Sequence, residues 1–153
     1  MLKKLLIFIL VLKIKLLMAK MCNEGSFIFG LNGKLYCECG GQPNYKNVIV
    51  QKCDSAGFLC SKIGQATMYY NGFGFGTAMD VTPSSNFKLQ VKITYKCCCP
   101  NGSVLCLREH YLNIPEDKIY CGNNITSIAE FGNIILPRGT IRNLGIAGPF
   151  GRK

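Results

Sequence analysis

The sequence contains no internal repeat and no long stretch with apolar residues at helical spacing. The first absence excludes solenoids, which need a self-similar unit every 20 to 50 residues or so. The second argues against a helical bundle, whose helices each carry an apolar stripe. What is present is a series of short segments in which apolar and polar residues alternate, separated by turn residues. This arrangement is typical of an all-β fold.

Acidic residues are scarce. The 153 residues include 18 Lys and Arg but 8 Asp and Glu, a formal net charge of +10. A positive balance favours acidic surfaces, such as anionic lipid or glycosaminoglycan, as partners. The sequence has no RNA-binding motif of aromatic and basic residues, no zinc finger and no basic helix, so no nucleic-acid partner is expected.

The N-terminal apolar run, residues 5–12, is too short to span a bilayer, which requires about 20 such residues. It follows two lysines and precedes the small residue Ala19. This order predicts a secretory signal peptide at residues 1–19. Two further lysines interrupt the pattern and leave open an uncleaved signal anchor or a basic amphipathic surface helix. Cleavage would leave 14 basic against 8 acidic residues, a formal charge of +6.

Residues 87–114 form the clearest structural unit. From Phe87 to Cys97 every odd position is apolar and every even position is polar, which predicts a strand with one buried face. A Pro-Asn-Gly-Ser turn follows, and a second strand resumes at Val104. Its apolar residues change phase along the chain, so a bulge near His110 is expected.

Other segments extend the β pattern. Residues 27–39 alternate and predict a first strand, with Gly33 marking a bulge or a close backbone contact. Residues 48–50 predict a strand buried on both sides. Residues 54–62 predict a loop tied at its base by flanking cysteines, and an Asn-Gly pair between aromatic residues predicts a short hairpin at residues 69–75. The G-x-G-x-G spacing there could suggest a phosphate loop, but no helix or Lys-Ser/Thr pair follows it.

Further along, residues 123–129 allow a brief helical turn at most, and residues 131–136 predict a final strand. The alternation of short strands and turns predicts a two-sheet antiparallel β-sandwich. The tail at 138–153 is basic and rich in glycine. It ends in Gly-Arg-Lys, which also resembles a peptide-amidation signal.

Ten cysteines, all beyond Ala19, predict disulfides in an oxidising compartment. Cys97 with Cys106 is the expected pair of the central hairpin, with Cys98 or Cys99 as alternatives to Cys97. If their shared face points inward, Cys37 and Cys39 are placed for bridges between sheets. A thiolate metal site is the alternative reading of the cysteine clusters. The disulfide candidates are Cys37, Cys39, Cys53, Cys60, Cys97, Cys106 and Cys121.

Two Asn-x-Ser/Thr sequons begin at Asn101 and Asn124, both in predicted surface turns. Asn124 is the better acceptor, because a glycan on Asn101 would crowd the cysteine-rich turn.

Three groups of residues, in order along the chain, resemble the nematode transthyretin-like family, whose members share a transthyretin-type sandwich. The resemblance covers residues 30–137, with 20–29 as a lead-in. The departures are Tyr95, which stands where the family usually has histidine, and five cysteines that look additional. The matching motifs are Gly33-Lys34-Leu35-Tyr36-Cys37, Gly41-Gln42-Pro43 and Asn47-Val48-Ile49-Val50 in the first group; Tyr95-Lys96-Cys97, Cys106-Leu107-Arg108 and Ile114-Pro115 in the second; and Phe131-Gly132-Asn133-Ile134-Ile135-Leu136 in the third.

The resemblance implies a secreted, extracellular binding or recognition protein. Its partner would be an extracellular protein, a lipid surface or a small apolar ligand. A related enzyme, hydroxyisourate hydrolase, needs several histidines and a different C-terminus. This chain has one histidine, His110, so no enzyme activity, cofactor or metal is expected. The alternative is a secreted, disulfide-rich effector or inhibitor that acts on another organism's proteins through an exposed loop such as residues 54–62.

Overall fold

The computed structural model describes residues 20–83, 85–99 and 106–138. Within this part of the chain there are ten β-strands, a 3-10 turn at Glu116–Lys118 and no α-helix, which confirms the all-β prediction. The strands are β1 Lys20–Met21, β2 Ser26–Cys37, β3 Tyr45–Asp54, β4 Cys60–Gln65, β5 Thr67–Met68, β6 Gly72–Asp80, β7 Asn86–Lys96, β8 Arg108–Asn113, β9 Ile119–Cys121 and β10 Ala129–Leu136.

The strands form two five-stranded sheets. In sheet A, the long strand β7 pairs with β3 on one side and with both β1 and β8 on the other, and β4 lies beyond β3. In sheet B, β2 pairs with β6 on one side and with β9 and β10 on the other, and β5 lies beyond β6. The two-sheet sandwich is therefore confirmed.

One pairing departs from the antiparallel prediction, because β10 runs parallel to β2. The short strand β9 runs antiparallel to the first part of β2, where Phe29 pairs with Ile119. The chain then turns back through residues 122–128 and continues along the same edge of β2 in the opposite direction. Because β9 is antiparallel to β2 and β10 runs in the direction opposite to β9, β10 is parallel to β2.

The core lies between the sheets and follows the period of two. On β7, Phe87, Leu89, Val91, Ile93 and Tyr95 are all buried, as the alternation predicted. The facing side chains come mainly from β2, where Phe27, Phe29, Leu31 and Leu35 are buried. Residues 20–29, which the resemblance placed before the domain, contribute β1, the start of β2 and two of these core phenylalanines.

Two local predictions are wrong. No bulge occurs near His110, because β8 pairs with β7 in unbroken register from Arg108 to Asn113 and the strand begins only after Leu107. Ile49 is half-buried on the outer face, so β3 is buried on one side, not two. In residues 123–129, where the sequence allowed a brief helical turn at most, no helical turn is present, and β10 begins at Ala129.

The predicted loop at residues 54–62 and the hairpin at 69–75 are both present, with different bounds. β3 and β4 form a hairpin whose turn spans residues 55–59. In β6, Phe73 and Phe75 lie on the inner face and alternate with outward glycines, and Phe73 pairs with Met68 of β5. The glycines belong to an extended strand, which is not the geometry of a phosphate loop.

All ten cysteines are paired in five disulfides, which makes the sandwich disulfide-stabilised and indicates an oxidising, extracellular-type environment. The pairing of Cys97 with Cys106 is wrong, although the alternative partner, Cys99, is the one that Cys106 takes. The sulfurs of Cys37, Cys39 and Cys98 lie close together because they belong to two neighbouring disulfides, so they offer no thiolates for a metal. The pairs are Cys22–Cys121, Cys37–Cys97, Cys39–Cys98, Cys53–Cys60 and Cys99–Cys106.

Candidate ligand-binding cavity

The connection from β8 to β9 crosses one end of the sandwich from sheet A to sheet B. Ile114 keeps the inward phase of β8, and its N–H donates to the carbonyl oxygen of Leu89 over 2.9 Å. Pro115 then ends the pairing, because proline has no N–H to donate. The 3-10 turn follows, with the Lys118 N–H donating to the Pro115 carbonyl over 3.0 Å. Ile119 begins β9 in the other sheet, so the crossing leaves a gap beneath it.

This gap is a cavity of about 730 Å³. Its walls are mostly apolar, and four of the apolar residues are almost completely buried from solvent. Its rim carries charged side chains of both signs. The apolar residues are Ala56, Phe87, Leu89, Ile114, Pro115 and Ile119, and the polar ones are Lys88, Asn113, Glu116 and Asp117. Both the volume and the mixture of apolar walls with a few polar groups are typical of sites for small organic ligands.

Phe87 forms the aromatic wall of the cavity. Its ring centroid lies 4.7 Å from that of Phe27, so the two sheets are joined through these rings. The ammonium nitrogen of Lys52 lies 5.3 Å from the centroid of the Phe87 ring, a cation–π distance. A positive charge therefore sits beside the aromatic wall.

Carboxylates occupy the opposite part of the rim. The Oε1 atom of Glu116 is buried and accepts no hydrogen bond from the described residues. A buried acceptor without a donor costs about 1 to 3 kcal/mol. Asp117 lies 3.9 Å from the ammonium of Lys118 and is largely exposed. This side of the rim therefore supplies hydrogen-bond acceptors in excess of the donors around them.

The cavity is held in place by covalent and polar contacts on both sides. β1 pairs with the start of β7, where Lys20 is opposite Phe87, and Cys22 just after it is bonded to Cys121 of β9. The Nζ of Lys118 also donates to the Ser127 Oγ over 3.0 Å. These contacts tie the crossing segment to both sheets, so the cavity exists before any ligand arrives.

A second candidate surface is the turn that joins β3 to β4. Phe58 and Leu59 at its tip are 87% and 78% exposed, high values for large apolar side chains. The Cys53–Cys60 disulfide closes the turn, and the Asp54 Oδ1 accepts hydrogen bonds from the Phe58 and Leu59 N–H groups at 2.8 and 3.3 Å. The apolar tip is thus presented on a constrained backbone.

The remaining predicted positions lie elsewhere. Asn124 is exposed in the connection between β9 and β10, so its glycosylation stays a prediction. Asn101, the signal peptide at 1–19 and most of the tail at 138–153 lie outside the described residues. On the outer face of sheet A, Glu109 forms an ion pair with Lys92 and accepts a hydrogen bond from the Tyr111 hydroxyl. His110, the next residue of β8, lies on the inner side of the strand.

Sequence reasoning missed the cavity and assigned no role to Cys22. The cavity residues come from three separate stretches of the chain, and only the strand order brings them together. One signal was available, however: Ile114 continues the inward phase of Leu112 directly before a proline. That combination indicates a strand end whose last apolar side chain still points between the sheets.

Comparison with protein-family models, with curated protein sequences and with solved structures found no match to this chain. Within residues 20–83, 85–99 and 106–138, no helix combines the length and the apolar character needed to cross a membrane.

Proposed function

We propose that this chain is a secreted binding protein with a transthyretin-type sandwich, and that it holds a small, mainly apolar ligand in the cavity at the β8–β9 crossing. The observation that carries the proposal is the preformed gap of about 730 Å³ between the two sheets. A binding role without catalysis agrees with a chain that has a single histidine.

The transthyretin-type assignment is supported by where the resembling motifs lie. The segment from Gly33 to Cys37 ends β2, the segment from Asn47 to Val50 lies in β3, and the last motif falls in β10. Strands β3 and β2 lie inside sheets A and B, and β10 pairs with β2 at the edge of sheet B. The five disulfides support secretion, because such bonds persist in oxidising compartments.

The walls define the class of ligand. Phe87, Leu89, Ile114 and Ile119 offer apolar surface that a hydrocarbon or aromatic group would cover. The carboxylates of Glu116 and Asp117 at the rim would accept hydrogen bonds from hydroxyl or amine groups. The expected ligand is therefore an apolar molecule with a polar end that donates hydrogen bonds.

The proposal is tested by mass spectrometry of the natively purified protein and by titration with Nile red, a dye that fluoresces in apolar sites. Ala56→Trp should block the cavity, because Ala56 is an exposed residue at its edge. The matched control is Asn44→Trp, which adds the same indole at an exposed position at the opposite end of the sandwich.

The expected result is saturable dye binding that Ala56→Trp abolishes and Asn44→Trp leaves unchanged, together with a bound small molecule in the native mass spectrum. Dye binding that both variants retain would place the apolar site elsewhere. Absence of dye binding and of any co-purified molecule would reject the proposal.

The second candidate function is a disulfide-rich effector that acts on another protein, and the exposed tip at Phe58 and Leu59 favours it. Two adjacent apolar side chains on a disulfide-closed turn could enter a pocket of a partner with little further loss of backbone freedom. Exposed apolar residues of this size commonly mark interaction sites.

This candidate is tested by capture from extracellular fluid with the oxidised protein. The variant Phe58→Ser/Leu59→Ser should fold normally, because both side chains are exposed. An effector should retain one protein that this variant loses, and a ligand carrier should show no difference between the two. The dye titration separates the two functions, since the serine variant keeps the cavity.

A further inference from the structure

The outer face of sheet A is a polar surface on which positive charge is concentrated. The alternation that buries Phe87 to Tyr95 turns the intervening residues of β7 outward, and their strand partners share that face. Its lysines are Lys88, Lys92 and Lys96 on β7 and Lys62 on the edge strand β4.

Acidic residues are almost excluded from this face. Of the eight in the sequence, Glu109 alone lies on it, where it pairs with Lys92. Asp80 and Glu130 belong to sheet B, and Glu116 and Asp117 lie in the crossing segment. The carboxylate of Asp54 accepts hydrogen bonds from backbone N–H groups of its own turn. Four lysines against the single carboxylate of Glu109 leave the face with a net positive charge.

A row of amides crosses the middle of the same face. The Gln51 Nε2 donates to the Gln90 Oε1 over 2.9 Å, and the Gln90 Nε2 donates to the Asn113 Oδ1 over 3.3 Å. The row thus joins β3, β7 and β8. The Gln51 Nε2 also donates to the Cys53 Sγ, so Gln51 retains acceptor capacity, whereas Gln90 and Asn113 retain both donor and acceptor capacity. Beside the row, Tyr111 is 46% exposed and its ring lies 5.6 Å from the Lys92 ammonium.

We propose that the outer face of sheet A binds an anionic polysaccharide. The lysines would pair with sulfate or carboxylate groups, and the amide row would hydrogen-bond to sugar hydroxyls. The exposed ring of Tyr111 would pack against a sugar ring. From Lys88 to Lys96 the strand extends over about 27 Å at the usual rise per residue, long enough for an extended chain of several sugars. This site is separate from the cavity, although Lys88 also contributes to the cavity rim.

A polysaccharide fits this face better than a bilayer does. The well-exposed large residues on this face are Tyr45 and Tyr111, which carry hydroxyl groups, and Met21 at its margin opposite Asn86, while Ile49 is half-buried. Two separate hydrocarbon side chains offer little apolar surface for insertion into a bilayer. A side-chain amide offers both N–H donors and a carbonyl acceptor, and sugar hydroxyls can use both, whereas the phosphate group of a lipid can use the donors alone.

The test measures retention of the oxidised protein on immobilised heparin, with uncharged dextran as the reference matrix. The key variant is Lys62→Gln/Lys96→Gln, which removes two charges from the face and leaves the cavity rim intact. The matched control is Lys20→Gln/Lys34→Gln, which removes two charges from β1 and from the exposed face of β2. Thermal unfolding of both variants shows that they are folded.

The expected result is that Lys62→Gln/Lys96→Gln elutes at lower salt and binds roughly three- to tenfold more weakly, while the control stays close to the parent protein. Gln90→Ala should weaken binding at every salt concentration without a change in charge. Equal losses in the two double variants would reduce the interaction to net charge and overturn the proposal. Heparin binding that Gln90→Ala leaves untouched would also overturn it.

Binding to vesicles that contain phosphatidylserine distinguishes the remaining source of negative charge. If Lys62→Gln/Lys96→Gln loses vesicle binding but keeps heparin binding, the face belongs to a membrane partner and the proposal is wrong. Binding to heparin that increases with oligosaccharide length until the face is spanned would support it.

Discussion

Cys97 is bonded to Cys37, at a sequence separation of 60, and not to Cys106, which precedes β8. Both partners continue the inward phase of their strands, Cys37 after Leu35 on β2 and Cys97 after Tyr95 on β7. The bond therefore joins the inner faces of the two sheets. Directly beside it, Cys39 and Cys98 form a second bridge with a separation of 59.

The two neighbouring bridges should be redundant in the unfolded chain. Each closes almost the same long loop, so either one alone removes most of the loop-closure entropy. Removing both bridges should lower the free energy of unfolding by about 2 to 4 kcal/mol in addition to the cost of the lost packing. The predicted outcome is strong non-additivity: the double removal costs more than the sum of Cys37→Ala/Cys97→Ala and Cys39→Ser/Cys98→Ser. Denaturant unfolding of the four proteins in this cycle measures it. Simple additivity would contradict the parallel arrangement.

Gly33 should not tolerate a side chain. An added Cβ would lie 2.8 Å from the Phe73 ring and 3.2 Å from the Ile134 side chain, both buried between the sheets. Gly33→Ala should therefore destabilise the protein by about 1 to 3 kcal/mol through overpacking. Gly76 is the control on the neighbouring strand, because its added Cβ would be 3.6 Å from the nearest atom. Gly76→Ala should change the free energy of unfolding by less than about 0.5 kcal/mol. Equal effects would show that the ring of Phe73 can move away.

Leu89 and Leu35 should differ in their response to truncation, although both are almost completely buried. Leu89 lines the cavity and so lacks packing partners on one side, while Leu35 is not among the cavity residues. Leu→Ala substitutions in cores cost about 2.7 to 5 kcal/mol, and the cost rises with the lost contacts. We expect Leu89→Ala near the lower end and Leu35→Ala near the upper end, by thermal or denaturant unfolding. A larger cost at Leu89 would mean that the cavity is closed in solution.

The strands were predictable where the alternation is long, as on β7, because burial of one face imposes a period of two that does not depend on the partner strand. The inward phase of Cys37 and Cys97 was likewise readable, and phase alone would have favoured their bridge over Cys97–Cys106. The bulge near His110 was inferred by counting Leu107 as part of the strand. The Cys99–Cys106 disulfide lies between β7 and β8, and strand pairing starts only at Arg108, opposite Tyr95.

Other features depend on contacts between distant parts of the chain. The parallel pairing of β10 with β2 follows from the reversal after β9, and a strand carries no local mark of its neighbour's direction. The cavity depends on the position of Pro115 relative to two sheets that the sequence does not order. The sequence shows the positive charge of the outer face of sheet A only as net charge, because the strand register is what places Lys62 of β4 on the same face as the lysines of β7.

The Glu109 carboxylate should make stability weakly dependent on pH in the acid range. Hydrogen bonds from Lys92 and Tyr111 lower the pKa of Glu109 below its ordinary value of 4.5. A lowered folded-state pKa gives stability that is present above the ordinary value and is lost as the pH falls through the folded-state pKa. The Glu109 side chain is 44% exposed, so solvent screening limits this contribution to below about 1 kcal/mol.

Glu109→Gln should therefore lower the free energy of unfolding slightly at pH 7 and leave it unchanged near pH 2, where the parent carboxylate is also neutral. Denaturant unfolding across this pH range measures the difference, with Glu130→Gln on β10 as the control carboxylate. A deficit in Glu109→Gln that persists at pH 2 would mean that the side chain acts by packing and not by charge.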